Sequence, residues 1–452
     1  MERVLIFIVV LGPLVFFHEL GHFLIARLTG VGVERFSLGF GPKLFGKTIG
    51  RTDYRVSLLP LGGYVKMVGD EPDKPLDPED EPLSFNNKPV YKRAMIVVAG
   101  PFFNLLLALL IYLFIFYFWG IQTIRPVVRD VAENSPAQQA GIRPGDVIAD
   151  IQGKPVKDWT DIDADLADSS GRPLAIRLKR DNRFLTVQVQ PKVVNITNAY
   201  GENQKQYDIG IEPYIARKAI VDNVVEGKPA ALAKLKPGDQ IVAINGQPVD
   251  RWETMQKIVA DSKGETLKFE IRRGDKTFSV DITPEESQER DELGVKHTVY
   301  RIGIMSTGST LLEKDKMRIS LGPLESLQKA VDQTWLITES TGVFLVKLVQ
   351  RKVPTEAIGG PIRIAQIAER EAQLGFLRLL NFIAVISVSL AVLNVLPIPV
   401  LDGGHLLFFA IEAVQRKPVS LRTRETAQQI GVFLLILLMI FVFYNDITVT
   451  FF

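Results

Sequence analysis

The 452-residue chain has no cysteine, only four histidines and almost no imbalance of charge, with 53 Lys plus Arg against 51 Asp plus Glu. Without cysteine there are no disulfides, no thiolate-held zinc or iron–sulfur sites and no thiol nucleophile. Any metal centre must be assembled from carboxylates and from His18, His22, His297 or His405. A formal net charge of +2 lacks the basic excess of a nucleic-acid footprint, so no nucleic-acid partner is expected. Mean hydropathy is only +0.15, the value of an ordinary soluble protein. The average hides a strongly uneven distribution.

Val4 to Ala26 is apolar except for His18, Glu19 and His22, and Ala94 to Phe118 carries no formal charge. The second run alone is long enough for a hydrocarbon core of about 30 Å. A third run, Leu379 to Ile411, is broken by Pro397 and Pro399 and contains Asp402, and a fourth covers Ala427 to Tyr444. Four spans are expected. The first does not read as a cleaved signal peptide, because its leading segment is only Met-Glu-Arg and no small-x-small site follows. Arg27, Arg35, Lys43, Lys47, Arg51 and Arg55 follow span one, and Arg416, Lys417, Arg422 and Arg424 precede span four. The positive-inside rule makes both stretches cytoplasmic, which puts both termini and the 120–378 region outside, the periplasm in a bacterium.

That outer region repeats itself at a constant offset of 93. Pro144-Gly145-Asp146 falls on Pro237-Gly238-Asp239, Trp159 on Trp252, and Ile209-Gly210-Ile211 on Ile302-Gly303-Ile304. One offset across so many Gly, Pro and Trp positions marks a duplication. Leu174-Ala-Ile-Arg-Leu and Leu267-Lys-Phe-Glu-Ile alternate with the period of half-buried strands. The Pro-Gly-Asp turn, the apolar strand after it and, in the second copy, Asn245-Gly246 resemble PDZ domains of the circularly permuted bacterial kind, over 127–213 and 220–306. The resemblance implies peptide binding at a sheet edge, with 209–211 and 302–304 as possible carboxylate loops. The alternative is that Gly210 and Gly303 merely permit a tight turn.

His18-Glu19-Leu20-Gly21-His22 lies inside the first span. Positions i and i+4 share a helix face, so both imidazoles can meet one ion, and the intervening Glu is placed to take a proton from zinc-bound water. Ionisable groups inside a span are costly and mark function. Two histidines leave zinc short of a ligand. Asp402, in Asn394-Val-Leu-Pro-Ile-Pro-Val-Leu-Asp402-Gly-Gly-His405, sits where two prolines stop a helix at membrane depth. It can face a cation, cap the next helix, or do both.

HELGH in span one, Asn-x-x-Pro-x-Pro-x-Leu-Asp-Gly in span three and a PDZ-like pair between them resemble the intramembrane site-two proteases, in the regulator-of-sigma-E protease branch. Gly100-Pro101 with Asn104, and Gly359-Gly360-Pro361, extend the likeness nearly end to end. The resemblance implies one Zn2+ per chain on His18, His22 and Asp402, with Glu19 as catalytic base and Asn394 contacting substrate or the developing oxyanion. An interhelical hydrogen bond is the alternative for Asn394, and His405 is the runner-up ligand. It further implies cleavage of pre-trimmed single-span membrane proteins, of the anti-sigma-factor type or signal-peptide remnants, from the lipid bilayer of the bacterial inner membrane. The PDZ tandem would filter substrates by size.

The expected architecture is an α-helical polytopic membrane protein with a membrane-associated β-element and two extracytoplasmic PDZ domains. In order it has transmembrane helix one with HELGH (1–30), the cytoplasmic-side β-element with an acidic linker (31–93) and transmembrane helix two (94–119). PDZ domains at 120–213 and 214–306 and a periplasmic amphipathic helical segment (307–375) follow. Transmembrane helix three (376–414), a basic cytoplasmic loop (415–426) and transmembrane helix four (427–448) complete it. Phe36, Leu38 and Phe40, alternating with Ser37 and Gly39, suggest that the β-element offers an edge to an unwound substrate. Leu324, Leu327, Val331 and Trp335 form the apolar stripe of the amphipathic segment, for packing on protein or on the membrane surface. A membrane scaffold and an ion transporter are the competing classes. A scaffold has no use for Glu19, and a transporter is expected to show repeated spans.

Overall fold

A computed structural model describes every residue except 1, 71–75, 198–201, 214–217, 250, 291–295, 307–312, 354, 356–357 and 452. The chain divides into two compact units, one built from 1–120 with 320–452 and the other from 121–319.

The first unit is helical. Its helices are α1 (Glu2–Leu28), α2 (Val90–Trp119), α3 (Pro323–Val349), α4 (Pro361–Leu374), α5 (Phe376–Val395), α6 (Asp402–Gln415) and α7 (Leu421–Phe451). In α1, α2, α5 and α7 a stretch is long and apolar enough to cross a membrane. A helix suits such runs because it satisfies its backbone polar groups internally. The 376–414 segment is two helices, not one. Pro397 and Pro399 cannot donate to a helical ladder, so the chain leaves helix geometry after Val395 and resumes it at Asp402. Asp402 is therefore the first helical residue, and Leu401 holds the cap position without a side-chain bond. Gly403 and Gly404 permit this fold-back, since a methyl group on either would collide with the carbonyls of 395–396 or of Ile398.

Helix α3 packs against α2 and α5 through Ser326 and Ala330, both fully buried. The predicted stripe faces the other way: Leu324, Leu327, Val331 and Trp335 are all exposed. Small residues let the helices approach closely, and the large apolar ones stay off the packed face. At the far end of α7, Asp446 accepts the amides of Gly360, Ile362 and Arg363 at 2.8, 3.0 and 3.2 Å. A buried carboxylate thus caps the N-terminus of α4, and Gly360 has no room for a side chain there.

Strands β1 (Val33–Ile49) and β2 (Thr52–Met67) are antiparallel and bend so that each contributes two segments. Residues 33–38 pair with 63–67 on one side and 53–56 on the other, while 43–49 pairs with 52–57. The free edges are accordingly 43–49 and 63–67. The expected alternation is only partly realised. Phe36 packs with Phe23 and Ile96, but Ser37 is also buried, bonded to Ser57 and to the Gly39 carbonyl at 3.0 Å, and Phe40 is exposed.

The second unit contains the duplication. Each copy has a four-stranded antiparallel sheet, built on Val147–Ile151, Leu174–Arg180 and Arg183–Val189 in one and on Gln240–Ile244, Leu267–Arg273 and Lys276–Ile282 in the other. A helix, Trp159–Asp168 or Trp252–Asp261, covers each core. The Pro-Gly-Asp aspartates do the same work twice. Asp146 grips Arg180 through two 2.7 Å bonds and the Arg143 amide at 2.8 Å. Asp239 repeats this with Arg273 at 2.6 and 2.7 Å and the Lys236 amide at 2.8 Å. Burial pushes both carboxyls up, but the guanidinium and amide partners outweigh it and hold them below the usual carboxylate range.

Candidate metal centre

His18 and His22 project from one face of α1 towards the start of α6. The Ile96 carbonyl of α2 meets His22 Nδ1 at 2.8 Å. A carbonyl only accepts, so the proton is on Nδ1 and His22 Nε2 presents a lone pair. That Nε2 lies 3.2 Å from His18 Nε2 and 3.6 Å from Asp402 Oδ2, and Oδ2 lies 3.2 Å from His18 Nε2. Oδ2 is buried and makes no hydrogen bond.

Three possible ligand atoms, one from each residue, converge here and can share a cation. Tetrahedral zinc with bonds of about 2.0–2.1 Å holds its ligand atoms about 3.3 Å apart, close to the three observed separations. The residues fit the ion. Among the described residues, His18, His22 and Asp402 are the group close enough to share a metal, and His405 is outside it.

Helix α2 supports this arrangement throughout. Gly21 of α1 lies against the Ala99 carbonyl, and a methyl on Gly100 would strike the rings of His22 and His18. Asn104, 1% exposed, brings Nδ2 to 3.4 Å from His18 Nδ1 and accepts the Ser387 hydroxyl on its backbone carbonyl at 2.7 Å. Arg93 holds Glu412 of α6 by paired bonds of 2.6 and 3.2 Å and lies over Phe409. The helix that begins at Asp402 is thereby fixed to α2.

Glu19 points to the other side, where the Val65 backbone amide bonds to it and Gly63 leaves space beside its side chain. The 63–67 edge of the β-element therefore runs next to the HELGH glutamate. Asn394, the penultimate residue of α5, is half-buried and makes no hydrogen bond to the histidines or Asp402.

In the repeats, Ile209, Ile211 and Ile302 are core residues, and Ile304 is partly buried against the same core. Gly210 and Gly303 have φ of 78° and 77°, a region that favours glycine. The Gly210 amide donates to Asp208 Oδ1 at 2.8 Å, so the first loop is already occupied by a carboxylate of its own chain. The support from Ile96, Gly100 and Arg93 was not read from the sequence; Gly100 and Asn104 stood out there only as part of a motif.

The chain matches Peptidase family M50 over residues 6–438. The regulator of sigma-E protease RseP of Escherichia coli K12 is 37% identical, over 97% of both chains. The regulator of sigma E protease of Haemophilus influenzae is 35% identical, also over 97% of each. A Neisseria meningitidis protein whose name assigns it provisionally to the zinc metalloproteases is 35% identical over 99% of each. Among solved structures, the HtrA3 PDZ domain bound to a phage-derived ligand is 35% identical over 15% of this chain and 60% of that one, with a TM-score of 0.14.

Proposed function

The chain belongs to Peptidase family M50 and is a zinc metalloprotease of regulated intramembrane proteolysis, and on that footing we propose that His18, His22 and Asp402 hold its zinc and that Glu19 is the catalytic base. The observation that carries the assignment is the convergence of three possible ligand atoms within 3.6 Å of one another, with Glu19 on the same helix turn. Zinc, when bound, polarises the scissile carbonyl and acidifies water. Glu19 takes the proton of the attacking water and passes it to the leaving amide nitrogen. The Val65 amide orients the carboxylate for that exchange.

A transmembrane substrate keeps its carbonyls in helical hydrogen bonds and has to unwind before attack. The 63–67 edge of β2 lies where an extended segment reaches Glu19, which supports strand addition as the way the substrate is held. The exposed apolar end of the hairpin, with Leu44, Phe45, Ile49, Leu58 and Leu59, suits immersion in the bilayer. Asn394, close to the break before Asp402, is assigned to substrate contact. The four apolar helices and the relatives fit a bacterial inner membrane protein. The positive-inside pattern orients both termini and both PDZ-like modules to the periplasm. There the tandem would exclude substrates with bulky untrimmed ectodomains, leaving single-span proteins already shortened outside, such as anti-sigma-factor fragments and signal-peptide remnants.

Glu19→Gln is the direct test. Zinc content should match wild type while cleavage of a transmembrane model substrate falls below detection; a fully active variant would eliminate Glu19 as the base.

A further inference from the structure

The first repeat contains a groove of 540 Å³ between its helix and the strand after the Ile-Gly-Ile loop. Trp159, Ile196 and Ile211 supply apolar walls, and Asp163, Asp208 and Glu212 supply carboxylates. No Lys or Arg lines it among the described residues. The strand Ile211–Glu212 pairs with Asp130–Val131 on one side, in a two-stranded sheet, and among the described residues no strand pairs with its other side, towards the groove. Partial burial against the walls, followed by the charge of Asp208, raises the carboxyls of Asp163 and Glu212 above their ordinary range. Burial is the larger cause; the neighbouring carboxylates add to it, and a cation entering the groove relieves that second part.

The duplication supplies an internal comparison. At the constant offset of 93, Asp130, Asp158, Asp163, Asp208 and Glu212 of the first copy correspond to Asn223, Arg251, Gln256, Arg301 and Met305 of the second. Five carboxylates are replaced by two cations and three neutral residues around the same fold. Arg251 pairs with Asp130 at 2.6 Å and also acts on Glu212, while Asp163 and Asp208 face the groove from its other walls. A C-terminal carboxylate entering the first groove meets those charges, and the Gly210 amide that would receive it is held by Asp208.

We propose that the first groove receives an extended polypeptide segment through a lysine or arginine side chain, and not through a C-terminal carboxylate. This rests on reading the repeat as a peptide-binding PDZ domain. Backbone bonds to the open strand give register, and the carboxylates choose the residue between them.

The test uses the full-length Glu19→Gln protein in detergent, so that no probe is cut, and reads fluorescence anisotropy with three labelled Ala/Val hexapeptides. One is amidated with a central lysine, one amidated with a central glutamate, and one uncharged with a free carboxylate. The lysine peptide should bind about tenfold or more tightly than the glutamate peptide and weaken with salt. It should lose about tenfold on D163Q/E212M, which installs the residues the second copy carries at these positions. Equal binding of the lysine and glutamate peptides, or lysine-peptide binding indifferent to D163Q/E212M, would overturn the proposal and leave the PDZ reading standing. Failure of all three peptides to bind would remove the PDZ peptide reading and the proposal with it.

Discussion

Replacing Asn104 by leucine probes how the first histidine is held. The asparagine is buried on α2 with Nδ2 3.4 Å from His18 Nδ1, while its Oδ1 is buried without a partner. A histidine that gives Nε2 to a metal carries its proton on Nδ1 and needs an acceptor there. Turning the carboxamide over supplies that acceptor and removes a buried orphan oxygen, worth about 1–3 kcal/mol. Loss of such a supporting partner weakens metal affinity by about 10–100-fold, which is about 1.4–2.7 kcal/mol. Competition against chelators of graded affinity measures this directly on the solubilised protein. Asn104→Leu keeps size and burial and should show the full loss. Asn104→Asp restores an acceptor and should hold zinc at least as well as wild type. If the leucine variant keeps wild-type affinity, or if both variants lose zinc equally, Asn104 only fills space and the reasoning fails.

Gly100→Ala puts a methyl group into the His18 and His22 rings, so zinc stoichiometry should fall sharply, and a fully loaded variant would show that the rings move aside freely. Arg93→Met leaves Glu412 with only the longer 3.5 Å contact to Arg424; stability should drop by about 3–5 kcal/mol, read as a lowered melting temperature, with partial rescue by Arg93→Met/Glu412→Gln. The repeats should unfold in acid. Because Asp146 and Asp239 are held below the usual range when folded, the unfolded chain takes up protons first as pH falls. Their stabilisation is complete above about pH 4 and vanishes as pH drops through the folded values. Asp146→Asn should remove about 1.5–3 kcal/mol at neutral pH and flatten the acid limb of the melting curve, whereas an unchanged acid limb would place its origin elsewhere.

The chemistry at the centre was legible because its signal is local or rare. Two histidines four residues apart have one geometric meaning on a helix, and a lone aspartate after two prolines at membrane depth needs a partner. The preference for Asp402 over His405 rested on the family resemblance, and among the described residues it is Asp402 that lies close enough to share an ion with His18 and His22. The contribution of α2 was hidden for a different reason. Ile96 acts through a backbone carbonyl that any residue supplies, and Gly100 lies in a run whose apolar character hides its packing role. The face of α3 stayed open between two readings because an apolar stripe looks the same whether it meets protein or lipid; the structure leaves Leu324, Leu327, Val331 and Trp335 exposed. The duplicated modules announced themselves through turns whose backbone geometry restricts the residue type. The double use of β1 and β2 did not, because a strand that bends to serve two neighbours leaves no change of period.

Arg93 and Ile96 stand one turn apart on α2. One positions the helix of Asp402 through Glu412, 319 residues further on, and the other positions His22. A single turn of helix is thus the common datum for both halves of the proposed metal centre. Any tilt or shift of α2 in a bilayer of changing thickness carries the two halves together, and their mutual spacing is preserved. Lengthening or exchanging the modules strung between α2 and α5 alters neither reference point. The plan lets the accessory region diversify while the centre keeps its dimensions.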